Sequence, residues 1–187
     1  VLKDLIHSYH VSSLPGLPPF QGGFLGYWSY DMGRHLEKLP NLAKDDLGLP
    51  EMYLALYDWS LAFDGATGKS YLFSTGLPNG TLEKAKSRAD EVMERLHSIS
   101  QSPPLLTTLD PPREIESNYT KESYLRAVSR VKEYLTSGDV YQVNISQRFH
   151  RPFQGDPWTL YQRLRLTNPS PFGAFLGFPE ATILSAS

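Results

Sequence analysis

Gln142, Asn144 and Ser146 recur at alternate positions and set a row of amide and hydroxyl groups along one side of a segment that ends in Gln147 and Arg148. Such groups are costly to bury unless they meet polar partners. The spacing alone also fits an antiparallel strand whose polar side faces water. A second candidate is Asn168-Pro169-Ser170-Pro171-Phe172. Its two prolines fix the backbone at low entropic cost, Ser170 offers a hydroxyl and Phe172 offers a ring. That combination suits contact with a small ligand. The plainer alternative is a helix stop followed by a turn into a core strand.

Other chemistry finds little footing. Gly22-Gly23-x-x-Gly26 lacks the G-x-G-x-x-G spacing, a following helix and an acidic partner some twenty residues on, so it is not a nucleotide loop. Its glycines read instead as points of close backbone approach. Tyr27, Trp28 and Tyr30 read as core and edge packing. His7 and His10 have no third ligand nearby in sequence, and His35, His97 and His150 stand without a Ser or Cys nucleophile context. Asp45-Asp46 and Glu114 to Glu116 read as solvated loop charge. The eight lysines, at 3, 38, 44, 69, 84, 86, 121 and 132, have polar surroundings or sit on helix faces. None lies in an apolar stretch that would favour a nucleophilic amine. No catalytic residue and no metal ligand is expected in this chain.

The elements that position the two candidates are legible. Tyr124, Leu125, Val128, Val131 and Leu135 form a helical stripe, with Thr120 as cap, Glu122 in the first turn and Gly138 as the left-handed stop. After Asp139 the period becomes two, with Tyr141, Val143 and Ile145 opposite the polar row, which predicts a strand. Asp156 caps and Pro157 starts a helix that stops at Asn168-Pro169. Strands are expected over Phe172 to Phe178 and Thr182 to Ala186.

Upstream, residues 1 to 10 read as the tail of a helix, then a Pro/Gly-rich connector from Val11 to Pro19, then a buried strand from Phe24 to Tyr30. Met52 to Phe63 and Ser70 to Ser74 predict a hairpin around Asp64-Gly65-Ala66-Thr67-Gly68. Thr81 caps an amphipathic helix marked by Leu82, Ala85, Ala89, Val92, Met93, Leu96 and Ile99. Ser100 to Pro112 is a Ser/Thr/Pro-rich linker. Hairpins with flanking helices, without regular strand–helix alternation, predict an α+β fold with mainly antiparallel sheets.

Composition narrows the function classes. In 187 residues, 40% are apolar and 12% aromatic, enough for a core. A net charge of −2 and a pI of about 6.2 give no reason to expect nucleic acid or an anionic membrane. The absence of cysteine excludes disulfides, thiolate metal sites and cysteine nucleophiles, and fits a cytoplasmic setting. No stretch approaches the roughly 18–20 apolar residues that span a bilayer.

The run from Ser137 to Arg148, Ser-Gly-Asp-Val-Tyr-Gln-Val-Asn-Ile-Ser-Gln-Arg, resembles the helix–Gly-Asp–strand segment of the chorismate-utilising enzymes. Pro19-Phe20-Gln21-Gly22-Gly23-Phe24-Leu25-Gly26-Tyr27 with Tyr30-Asp31, Tyr57-Asp58 and Asn168-Pro169-Ser170-Pro171-Phe172 fit the same family in the same order. The match runs from about residue 18 to residue 187. It most resembles the aminodeoxychorismate synthase large subunits. Asn144, and Phe172 in place of tyrosine, point away from the anthranilate synthase large subunits, which remain the alternative. A non-catalytic aromatic amino-acid binding module is a further one.

The resemblance implies a partial anthranilate synthase component I-like fold. Residues 1–112 would be an amino-terminal domain and 113–187 the truncated start of the chorismate-binding domain. It implies an enzyme that converts chorismate and ammonia to 4-amino-4-deoxychorismate for para-aminobenzoate and folate synthesis. Magnesium, a lysine nucleophile and a general acid/base glutamate would lie beyond this chain, and a glutamine amidotransferase would deliver the ammonia. Both ends of the sequence read as cut. The Asn168–Phe172 loop would be ligand-binding, as part of a tryptophan pocket in relatives. The Leu-rich, Ser-containing segment that completes that pocket is not found here.

Overall fold

The computed structural model describes residues 2–99 and 114–187. The expected linker from Ser100 to Pro112 lies outside them. The chain divides into two compact units, one of Val1–Pro104 with Phe178–Ala181, the other of Leu105–Gly177 with Thr182–Ser187. Helices accompany short antiparallel ladders throughout, so the fold is α+β, as the sequence indicates.

In the first unit a short helix α1 (Leu2–Ser8) precedes strand β1 (Gly23–Trp28), and a 3-10 turn follows at Tyr30–His35. The connector between α1 and β1 is pinned by Gln21. Its side chain is buried, accepts from the Leu14 N–H at 2.9 Å and donates to the carbonyls of Leu14 and Pro18 at 3.0 Å each. β1 pairs with β2 (Met52–Tyr57), and β3 (Trp59–Asp64) pairs with β4 (Lys69–Ser74), both antiparallel.

The sequence predicted one hairpin from Met52 to Ser74. Instead the apolar run breaks at Asp58, and its first half crosses to β1. Asp58 stays with the second half: one step beyond the Trp59↔Ser74 pair its carbonyl accepts from the Thr75 N–H (2.9 Å) and the Thr75 hydroxyl (3.0 Å). The expected strand over Phe24–Tyr30 also ends early. Trp28 is 55% exposed and Tyr30 is 97% exposed on the 3-10 turn, so Tyr30 is not a packing residue. The β3–β4 turn is shaped by the Asp64 carboxylate, which accepts from the Ala66 N–H at 2.9 Å and the Thr67 hydroxyl at 2.6 Å.

Helix α2 (Leu82–Ser98) starts where expected, with the Thr81 hydroxyl accepting from the Lys84 N–H. It lies against β4, and Val92 is its buried residue. The Ser74 hydroxyl donates to the Ala85 carbonyl at 2.8 Å. Leu82 and Ile99, expected on the same stripe, are exposed.

The second unit opens with β5 (Glu116–Ser117) and helix α3 (Lys121–Ser137). Thr120 and Ser123 form a reciprocal capping box, and Gly138 takes the left-handed stop at φ 80°. Every feature read from the sequence for this helix is present except the burial of its stripe. Among the described residues α3 buries none of its side chains. β6 (Phe149–His150) pairs with β5, helix α4 runs Pro157–Thr167, and β7 (Ala174–Gly177) pairs with β8 (Thr182–Ser185). Tyr161 of α4 is buried beside Phe175 of β7, ring centroids 5.6 Å apart, with Trp158 at 5.2 Å from Phe175. Of these three rings only Tyr161 is buried. No helix among the described residues is long and apolar enough to cross a membrane.

Candidate functional site

The predicted strand over Tyr141–Ser146 is the main correction. Residues 141–148 form no ladder with any described residue. The reason lies in β5. Its ladder with β6 runs Glu116↔His150 and Ser117↔Phe149, continues as one bond from the Asn118 N–H to the Arg148 carbonyl at 3.1 Å, and then loses its partner. Two residues later Thr120 is already the cap of α3, so the neighbouring chain turns away. Side chains tie the end of the segment: Gln147 donates to the Ser117 hydroxyl at 2.8 Å, and the Arg148 N–H donates to Asn118 Oδ1 at 2.8 Å. Gln142, Asn144 and Ser146 stay exposed, and Tyr141 is 99% exposed.

The Asn168–Phe172 loop sits where the sequence placed it, between α4 and β7. Asp156 begins the helix that delivers it. Its carboxylate accepts from the Thr159 N–H at 2.8 Å and the Thr159 hydroxyl at 2.9 Å. The first of these bonds, then the second, holds the Asp156 carboxyl below its ordinary range. Asn168 leaves helical geometry at φ −136°, ψ 74°, while its N–H still donates to the Leu164 carbonyl at 2.8 Å. It has thereby left the α region, which a following proline disfavours.

Beyond it the Ser170 carbonyl accepts from the Gly173 N–H at 3.3 Å, and the Phe172 N–H donates to the Ser187 carbonyl at 3.2 Å. The loop is therefore a fixed turn into the β7–β8 hairpin. Phe172 points out, 80% exposed, and Ser170 is half-buried. Asn168, Pro169 and Pro171 are exposed. The loop presents the Phe172 ring to solvent, while the half-buried Ser170 hydroxyl oxygen accepts from the Phe172 N–H at 3.3 Å.

A polar junction in the first unit escaped the sequence reading. Arg88 of α2 donates from Nε to Asp58 Oδ2 at 2.8 Å and also pairs with Glu91, which in turn accepts from Arg95 at 2.6 Å. Asp58, between β2 and β3, thus joins the two ladders to α2. Its hydrogen bond and charge raise the Arg88 guanidinium further above its ordinary value. The pair is thirty residues apart in sequence, and the only local hint was the i, i+3 spacing of Arg88 and Glu91. Histidines read as isolated also have partners: His35 meets Glu51 at 2.7 Å and His150 meets Glu116 at 3.2 Å. Among the described residues no group of three or more His, Asp or Glu side chains is placed to hold a metal ion.

A family model described as chorismate binding enzyme matches residues 2–187. The chain belongs to the chorismate binding enzyme family. It is 38% identical over 169 residues to aminodeoxychorismate synthase component 1 of Escherichia coli K12, covering 90% of this chain and 34% of that protein. It is 32% identical over 196 residues to anthranilate synthase component 1 of Acetivibrio thermocellus, covering 100% of this chain and 40% of that one. The crystal structure of anthranilate synthase component I from Streptococcus pneumoniae TIGR4 superposes with a TM-score of 0.82 at 27% identity, over 100% of this chain and 43% of its own. The chain therefore spans about a third to two fifths of the length of these relatives. Its fold is similar to that of anthranilate synthase component I.

Proposed function

We propose that this chain is the amino-terminal part of an aminodeoxychorismate synthase component 1. The intact polypeptide would replace the C4 hydroxyl of chorismate with ammonia, giving 4-amino-4-deoxychorismate for para-aminobenzoate and folate synthesis. The observation that carries the reading is the family match along residues 2–187, combined with Gln142-Val143-Asn144 and Phe172 in its most distinctive segments. The 38% identity to the Escherichia coli relative supports the same choice.

In this reading the chain supplies scaffold. The Arg88–Asp58 junction fixes the first unit, and α4 with the β7–β8 hairpin holds Ser170 and Phe172 at the surface of the second. These two side chains are the ones suited to touch an aromatic ligand, tryptophan in particular. In this reading no reaction step is assigned to the residues of this chain. The metal, the lysine nucleophile and the acid/base glutamate belong to sequence outside this chain. A glutamine amidotransferase would supply ammonia in the cytoplasm.

The second reading is anthranilate synthase component 1. The relative from Acetivibrio thermocellus, matched along the whole of this chain, favours it. The test is product identity. A longer polypeptide carrying this sequence is incubated with chorismate, magnesium and ammonia, and the products are separated. Aminodeoxychorismate is expected. Anthranilate would transfer the assignment to the second reading, and unconsumed chorismate would overturn both.

A further inference from the structure

Asn79 and Gly80 are exposed on the turn between β4 and α2. The side-chain amide carbon of an asparagine can be attacked by the backbone nitrogen of the residue that follows it. A following glycine leaves that nitrogen unshielded, because it has no Cβ. The other asparagines, at 41, 118, 144 and 168, precede Leu42, Tyr119, Ile145 and Pro169. Three of these followers are bulky, and the proline nitrogen carries no proton to lose. At Gly80 even an added Cβ would meet nothing within 4 Å, so no neighbour shields the bond from that side.

The fold restrains this nitrogen. The Gly80 N–H donates to the Gly76 carbonyl at 2.9 Å. Gly76 is buried against the start of α2: a Cβ there would lie 2.3 Å from the Thr81 carbonyl oxygen and 3.1 Å from the Thr81 nitrogen. The turn is therefore fixed to the helix start, which the Thr81 hydroxyl caps by accepting from the Lys84 N–H at 3.3 Å. A backbone N–H held in this way must leave its acceptor before it can lose its proton, as in amide hydrogen exchange.

We propose that Asn79 is a site of spontaneous deamidation and that the Gly76–Gly80 turn gates it. In the opened turn the deprotonated Gly80 nitrogen attacks Asn79 Cγ and closes a cyclic imide. The Cγ–Nδ2 bond breaks, and the nitrogen leaves as ammonia with the proton. Water then opens the ring to aspartate or isoaspartate. Water is the sole co-reactant, and nothing is oxidised or reduced. Both products place a new negative charge just ahead of α2, where the helix dipole favours it. Aspartate keeps the backbone and so permits the turn. Isoaspartate adds a methylene to the backbone inside a turn whose ends already meet at Gly76 and Thr81, and disrupts the Gly80–Gly76 bond. The proposal is independent of which reaction the family assignment implies.

The test holds a polypeptide carrying this sequence in mildly alkaline buffer and follows each asparagine-containing peptide by mass spectrometry. In urea Asn79 should convert well ahead of the other four asparagines. In the folded protein its conversion should be slower by about tenfold or more, since a held amide reacts only in its opened fraction. Thr81→Ala should raise the folded rate by about fivefold, the factor that corresponds to a lost cap of about 1 kcal/mol. Thr81→Ser, which keeps the cap, should stay near the parent. Thr120→Ala, the matching loss at α3, should leave the Asn79 rate unchanged. Equal rates in the folded protein and in urea would overturn the proposal. So would an Asn79 that converts no faster in urea than the other asparagines, or a Thr81→Ala protein that converts at the parent's rate.

Discussion

Gly26→Ala tests the packing of the first unit at the point where the least can give. In the β1–β2 register Gly26 faces Leu54. A Cβ added there would lie 1.8 Å from the Tyr53 carbonyl oxygen, 2.8 Å from its carbonyl carbon and 3.0 Å from the Leu54 Cα. All three are backbone atoms of the partner strand, so no side-chain rotation relieves the clash and the ladder itself must part. Overpacking that flexible side chains absorb costs about 1–3 kcal/mol. A clash confined to backbone belongs at or above the upper end of that range. For a body of about a hundred residues each kcal/mol shifts the melting temperature by about 4–8 °C, so a loss of roughly 10–20 °C is expected.

The assay is thermal unfolding followed by tryptophan fluorescence, with Trp28 and Trp59 as reporters in this unit. Gly65→Ala is the control, since a Cβ there meets nothing within 4 Å. It should remain within about 0.5 kcal/mol of the parent. A Gly26→Ala protein that melts together with Gly65→Ala would refute the close approach of β1 to β2.

Three further outcomes follow from other elements. Thr120→Ala removes the capping box of α3 and should cost about 1 kcal/mol by urea titration, with Thr120→Ser retaining most of it. Gln21→Ala leaves the Leu14 N–H and two carbonyls without their side-chain partner. It should cost about 1–3 kcal/mol and increase protease cleavage between Val11 and Pro19. The Asp156 carboxyl is held below its usual 3.8, so its stabilising bonds are fully present above that pH and are lost as pH falls through the lower folded value. The urea midpoint of the parent should therefore decline below about pH 4 more steeply than that of Asp156→Asn, whose amide still caps the helix. Parallel pH curves for the two proteins would contradict the assigned cause.

Helices were the most legible part of the chain. Thr81, Thr120, Asp156-Pro157 and Gly138 are local signals, and each marks the boundary it was read to mark. The strands depended on distant partners. Met52–Tyr57 and Trp59–Asp64 look like one apolar run, yet the first pairs with β1, which is distant in sequence, and the second with β4. Tyr141–Ser146 has an unmistakable period of two, yet period specifies a face and not a neighbour. β5 ends before it can serve as one.

The Asn168–Phe172 loop was placed correctly between α4 and β7, because Asn-Pro stops a helix locally. Its openness could not be read in advance, since the exposure of Phe172 depends on what the rest of the unit leaves uncovered. The same holds for α3. Its stripe predicts a buried face, and the described residues do not bury it.

The most direct measurement compares the 187-residue chain with a longer polypeptide that carries it, each given chorismate, magnesium and ammonia. Aminodeoxychorismate from the longer polypeptide, with none from the chain alone, is the predicted result. Turnover of chorismate by the chain alone would contradict the account, because it would place the chemistry among residues assigned here to scaffold.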